Sequence, residues 1–416
     1  MKLFKYGFIF IFVISMYSPS LALDSLWTRG FIFPSNSLLY DITFINKKIG
    51  FICGSNGSSS SASVSGLIYK TTDAGITWGL KSSGIKEYLY SIKFQDSTNG
   101  SNNKVGYAVG DKGTICKSTD QGENWFVLNK FTTKDFYTIS MFNDYFGWII
   151  GAGGTVFKTS NQGNTWDSIY RASIELSDAC FISNYGWAVG YTSKSKGIIV
   201  HTTNAGLNWE IQDTSSFSIL ISVFFLDKNN GWITGFNGTI IHTSDGGKNW
   251  SKQESGINEH VFKINFSDLN NGWATSNYGV ILNTSDGRKT WYQVQSGTIN
   301  SLRGMYFSDL NNGWAVGFGG TLLKYKSLGT SAEDNQTTIN NISYYPNPSK
   351  DVLNIKLESE PLTNEELEIY DLMGQNLLSQ KIDNIQSSID LQKLNTGIYY
   401  CRLKQNGTVF KFEVVK

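Results

Sequence analysis

Charge, histidine and cysteine are all scarce in this 416-residue sequence. Only 17% of residues are charged, and 35 Lys and Arg against 34 Asp and Glu leave a net +1, so no basic surface advertises a nucleic-acid or anionic-membrane partner. There are three histidines, no two at ligand spacing, and no Cys-x-x-Cys, so neither a dedicated metal site nor a cofactor is predicted. The four cysteines, Cys53, Cys116, Cys180 and Cys401, occur singly and at apolar places, and are read as small buried hydrophobes rather than a disulfide framework. After the first 22 residues no long apolar stretch occurs, so no transmembrane segment is expected beyond that point. Arginine is rare too: residues 23–326 hold only Arg29, Arg171, Arg288 and Arg303.

Glycine and tryptophan, by contrast, are abundant. The chain has 42 Gly against 5 Pro, 12 Trp and 14% aromatics, which is the composition of a turn-dense all-β protein. At the start, Lys2 and Lys5 precede an apolar run over residues 7–16, and Ser20-Leu21-Ala22 forms a small-x-small cleavage site. Residues 1–22 read as a secretory signal peptide. Their removal takes two lysines and no acid, leaving 33 − 34 = −1.

The tryptophans carry a repeat of about 41 residues, the distance from Trp250 to Trp291. One recurring segment runs from Lys117 through Asp120 and Gly122 to Trp125, and returns ending at Trp78, Trp166, Trp209, Trp250 and Trp291. The other, Gly313-Trp314-Ala315-Val316-Gly317, returns at Trp148, Trp187, Trp232 and Trp273, with Tyr107 and Phe51 in the Trp place of the first two copies. Seven copies of the second segment thus face six of the first. Trp27, with Phe44 seventeen residues on, supplies the seventh from the other end of the domain. Each unit reads as a four-stranded meander whose inner strand alternates, as in Phe262, Ile264 and Phe266. The fold expected for residues 23–326 is therefore an all-β seven-bladed β-propeller closed by an N-terminal strand.

The acidic turns have a structural purpose. In Thr/Ser-x-Asp-x-Gly the short side chain can accept backbone N–H groups of its own turn, with Gly in the left-handed conformation. The position is Asp73, Asp120, Asp245 or Asp286, but Asn161 and Asn204 in two blades, and Asn is no general acid. These turns resemble the Asp-box of sialidase and BNR-repeat propellers, and combined with the Gly-Trp-Ala-Val-Gly strand they resemble more closely the propellers related to the photosystem II assembly and stability factors.

After Tyr325 the period stops. Residues 327–342 are polar and read as a linker, and residues 343–416 as a small β-sandwich. Tyr345-Pro346-Asn347-Pro348, the turn from Tyr370 to Gly374 and the run from Leu394 to Tyr400 together resemble the type A C-terminal sorting domain of the type IX secretion system. That resemblance implies type IX secretion machinery as a partner through residues 343–416, and a secreted or cell-surface location. Export also opposes a role in assembling a photosynthetic complex.

No catalytic residue is assigned. A sialidase clamps its substrate with three arginines, and four scattered arginines make that clamp hard to assemble. An Asp-box glycoside hydrolase is the alternative and requires carboxylates or tyrosines converging on one face. The leading expectation is a non-catalytic binding module for a glycan or protein ligand. Its site is sought where the repeat is broken. The hairpins at 55–66 and 191–197 are lengthened and emerge opposite the Asp turns, on the face propellers usually use for ligands, whereas the insertion at 95–105 lies on the other face. Arg303 falls where other inner strands carry Tyr40, Tyr90, Tyr137 or Phe262, marking either an anionic or hydroxyl-rich ligand or a buried structural ion pair. Arg171, between the third and fourth blades, shares the expected ligand face; Asp178 is a second anomaly of uncertain register.

Overall fold

The computed structural model describes residues 27–416 apart from 58–64, 82–83, 96–104, 129, 144, 171–173, 214–216, 288–289, 295, 310, 327–336, 340–341, 346–348, 358–364, 372–374 and 406–408. Residues 1–22, read above as a signal peptide, Arg171, Arg288 and most of the 95–105 insertion and of the 55–66 hairpin therefore lie outside the described residues.

Seven four-stranded antiparallel sheets succeed one another as meanders, with inner strands Ser37–Phe44, Leu89–Phe94, Phe136–Met141, Ile174–Ile182, Leu220–Phe225, Val261–Phe266 and Leu302–Asp309, numbered here as blades 1 to 7. Blade 7 has three strands from its own repeat, and its fourth is Trp27–Arg29, which pairs antiparallel with Leu323–Tyr325 as the repeat arithmetic expects. The ring is thus closed by backbone hydrogen bonds between the two ends of the domain, leaving no edge between first and last blades.

The two sequence motifs make the seams between blades. In blade 5, Trp232 is fully buried and stacks on Phe266 of blade 6 at 3.7 Å, while its indole N–H donates to the carbonyl of Gly287 in the blade 6 Asp turn at 3.0 Å. Trp187 and Trp148 do the same against Phe225 and Phe181, donating to Gly246 and Ala205. Where the repeat carries Tyr107, the phenol takes over by donating to Gln162 at 2.6 Å. Where it carries Phe51, which has no donor, Lys70 reaches the equivalent Gln121 carbonyl at 2.7 Å. Glycine precedes the Trp because the inner-strand ring lies flat against it: a Cβ on Gly272 would overlap the ring of Phe266. Seven apolar clusters result, one between each pair of neighbouring blades and including the blade 7 to blade 1 seam, where Phe44 stacks on Trp314 at 3.9 Å.

The Asp turns satisfy themselves. Asp245 accepts the Thr243 hydroxyl at 2.8 Å, the Asn249 backbone N–H at 3.0 Å and the Asn249 side-chain amide at 2.7 Å. Asn161 and Asn204 accept the equivalent N–H groups of Thr165 and Asn208, both at 2.9 Å. Hydrogen bonding from the Asn249 side chain holds the Asp245 carboxyl down at about 2, and the Thr77 hydroxyl and N–H do the same for Asp73. All four cysteines are free, three of them buried and Cys180 half-buried.

The C-terminal unit is a β-sandwich of two four-stranded sheets around one apolar core. It begins earlier than the sequence indicates: Thr337–Ile339, inside the stretch read as a linker, pairs with Ile342–Tyr345. Backbone pairing across a two-residue connection draws this polar segment into the sheet, where side-chain hydropathy gave no sign of it.

Candidate functional site

One irregularity builds the centre of the propeller. Every inner strand carries a β-bulge near its start, and the extra residue leaves the ladder to face the channel. Around the ring these residues are Tyr40, Tyr90, Tyr137, Ser177, Ile221, Phe262 and Arg303, and all seven line one pocket of about 280 Å3. The bulge corrects one expectation. Phe262 does not share a face with Ile264 and Phe266, because the extra residue resets the alternation and turns its ring to the channel while Val261 joins the seam. A neighbouring pocket of about 400 Å3 shares Ser177, Tyr191, Ile221, Phe262 and Arg303 and extends to Phe236, His260 and Asn277. Its hairpin residues join second to third strands, so the mouth opens on the face opposite the Asp turns.

The next residue of each inner strand forms the floor, and there the charges are matched. Asp41 accepts the Ser91 hydroxyl at 3.1 Å, the Ile92 N–H at 3.1 Å and the Lys93 ammonium at 3.0 Å. Asp178 occupies the same register in blade 4, which settles its alignment. It accepts the Ser222 hydroxyl at 2.8 Å and Lys263 at 2.9 Å, a contact that spans from blade 4 to blade 6. Although burial opposes it, Lys93 and Lys263 together hold the Asp41 carboxyl below its usual range, and Asp178 and Asp41 hold Lys263 above its own. Both carboxylates are engaged by hydroxyl, backbone and ammonium donors.

Arg303 is different. Its guanidinium lies 3.7 Å from the ring centroid of Phe262 and 4.6 Å from that of Phe318, its Nε is buried without an acceptor, and no carboxylate among the described residues pairs with it. The ion-pair explanation left open by the sequence does not hold for this residue. Tyr40 beside it is pushed up to about 12 by burial, against the pull of Arg303, and Tyr137 is likewise raised to about 12 by burial. The phenols around the mouth are neutral hydroxyls.

Three acids sit behind the tyrosines on the same face. Asp111 hydrogen-bonds Tyr90 and is raised by burial. Asp135 accepts the Lys112 N–H at 2.9 Å, and Glu175 accepts the Gly153 N–H at 3.0 Å, so both brace hairpin turns. Sequence reasoning missed Asp41, Lys93, Lys263 and Phe318. The signal for Asp41 was present, since it comes after Tyr40 as Asp178 comes after Ser177, but a strict period of two has no place for the extra residue of the bulge. Arg303 and the tyrosines are brought together as the repeat register implied; the six Asp-turn positions lie on the opposite face.

Comparison with known proteins gives two separate matches along the chain. The family profile described as photosynthesis system II assembly factor YCF48 matches residues 75–217 and 208–299, and that of the secretion system C-terminal sorting domain matches residues 343–416. Among solved structures, YCF48 from Cyanidioschyzon merolae aligns with a TM-score of 0.58 at 18% identity, covering 72% of this chain and 98% of its own. YCF48 bound to D1 peptide aligns at 0.61 and 20% identity, covering 75% and 99%. PorZ, a surface component of the type IX secretion system of Porphyromonas gingivalis, aligns at 0.55 and 13% identity over 94% of this chain and 61% of its own. At these identities the structural likeness shows the fold. No curated protein sequence matches the chain significantly.

Proposed function

The chain belongs to the family of the photosynthesis system II assembly factor YCF48, and on that premise we propose that it is an exported, non-catalytic binding propeller whose ligand seats at the channel mouth. The sorting domain at residues 343–416 supports a secreted or cell-surface protein, and its recognition by type IX secretion machinery is part of the proposal. The observation that carries the binding site is Arg303, a desolvated cation without a carboxylate in the one ring position where five other blades place an aromatic or aliphatic side chain and the remaining one a serine. Folding gains little from stranding such a charge, and an anionic ligand would supply its missing partner. Arg171 belongs to the same expected face and is retained as a candidate contact on sequence grounds alone.

A glycosidase has one observation in its favour, the raised Asp111 carboxyl beside Tyr90 and within electrostatic range of Asp135. It is the weaker reading, because Asp111 already hydrogen-bonds Tyr90 and the floor acids are bound to lysines. The test is to present the secreted chain and its Arg303→Gln variant to glycan and peptide arrays while assaying for cleavage products. Retention that depends on Arg303, without turnover, is the expected result. Turnover abolished by Asp111→Asn would establish the hydrolase instead.

A further inference from the structure

We infer that the group recognised at this mouth is the carboxylate of an acidic saccharide, a uronic-acid-type ring inserted toward Arg303; this rests on the binding-module reading above. Among the described charged donors of the channel, Arg303 is the one the fold leaves unmatched. Lys93 and Lys263 are held by Asp41 and Asp178, and the backbone N–H groups of Ile92 and Val223 beside the floor are capped by the same two carboxylates. An incoming peptide would find those main-chain donors occupied.

The shape of the cation narrows the partner. The Phe262 and Phe318 rings lie over the guanidinium carbon, with centroids 3.7 and 4.6 Å away, which leaves the edge of the group for a ligand. Edge-on, the planar fork matches a planar carboxylate through two parallel hydrogen bonds. Tyr40, Tyr90, Tyr137 and Tyr191, flat apolar faces tipped with neutral hydroxyls, share the wall with Ser177 and Ile221, and the two carboxylates of the lining, Asp41 and Asp178, are each neutralised by a lysine. Such a wall suits a ring with an apolar C–H face and a rim of hydroxyl groups better than a purely apolar ligand. The two pockets, about 280 and 400 Å3, stand near the lower end of the ~300–1,000 Å3 range of small-molecule sites, room for one or two sugar rings rather than a threaded chain.

The experiment is calorimetric titration of the full secreted chain with four probes: trigalacturonic acid, its methyl ester, neutral maltotriose, and a nine-residue peptide ending in a free carboxylate. The acidic trisaccharide is expected to bind and its ester to bind about ten- to a hundredfold more weakly, the loss of hydrogen bonds to a charged group. Arg303→Gln is expected to lose affinity by a similar factor. Arg303→Lys, which keeps the charge without the fork, should lose an intermediate amount, and it preserves the test should the Gln variant fail to fold. Lys47→Ala, an exposed change on the opposite face, should bind as the parent does. Equal affinity for acid and ester, or no binding of the acid at millimolar concentration, overturns the inference. Binding of the peptide alone in an Arg303-dependent manner also overturns it while leaving the binding-module reading intact; cleavage of the trisaccharide would sink that reading itself.

Discussion

The two faces of the propeller differ in how far they obey the repeat. On the Asp-turn face, six acidic or amide side chains do the same thing in successive blades, each accepting the N–H groups of its own turn. At the channel mouth the same topological position is Tyr, Tyr, Tyr, Ser, Ile, Phe and Arg in successive blades, and the last of these is an unmatched cation. Repetition of the same local hydrogen bonds is the mark of parts that hold the fold. Divergence to an unmatched cation is the mark of a part that waits for something outside it. Between the faces lies the floor, where charges also diverge from the repeat but are matched internally, so divergence alone does not identify a ligand site.

The largest break in this contrast comes from a seam residue. Trp232→Ala removes a buried ring, its stack on Phe266 and its hydrogen bond to Gly287, and should cost about 3–5 kcal/mol in a denaturant titration, with ligand binding at the mouth lost only as far as the fold is lost. Lys263→Met strands Asp178, which is only 8% exposed; because a quarter of the lysine side chain meets solvent, about 2–3 kcal/mol is expected, below a fully buried pair. The pH dependence checks the cause. The folded-state pKa of Lys263 is raised above its ordinary value of 10.5, so its contribution is complete below that pH and is lost as pH rises through the elevated value. The variant should therefore lack the parent's alkaline loss of stability. Arg303→Met sharpens the comparison from the other side. It removes a poorly solvated charge but also its two aromatic contacts, opposing effects that should leave stability within about 1 kcal/mol of the parent while binding collapses. A variant as destabilised as Trp232→Ala would make Arg303 a structural residue.

Much of the propeller was legible from spacing. The tryptophan and Gly-Trp repeats specify blade number, closing strand and Asp turns, because each blade repeats the same seam and the same local hydrogen bonds. The channel was only half legible. A period-two strand places Arg303 opposite the tyrosines correctly, since the bulge occurs in every blade and leaves their mutual register intact. It has no place for the bulge, so Phe262 reads as core and nothing singles out Asp41 or Lys263. The partner of a charge is beyond a sequence pattern altogether: Asp178 and Lys263 stand 85 positions apart and meet across a blade.

The smallest effect tests the repeated face. If the acid at the Asp turn only accepts hydrogen bonds, Asp245→Asn should change stability by about a few tenths of a kcal/mol, as Asn161 and Asn204 already serve in blades 3 and 4. Asp245→Ala, with no acceptor, should cost about 0.5–1 kcal/mol. The two variants also part from the parent in acid. Hydrogen bonds hold the Asp245 carboxyl at about 2, below its ordinary 3.8, so its contribution is present above that ordinary value and is lost as pH falls toward 2. A melting series from about pH 5 to pH 2 should show the Asn variant losing slightly less than the parent over that interval, a small difference because the carboxylate is exposed and well screened. If instead Asp245→Asn abolished ligand binding with the fold intact, the division of labour between the two faces would be wrong, and the Asp turns would have to be counted among the functional residues.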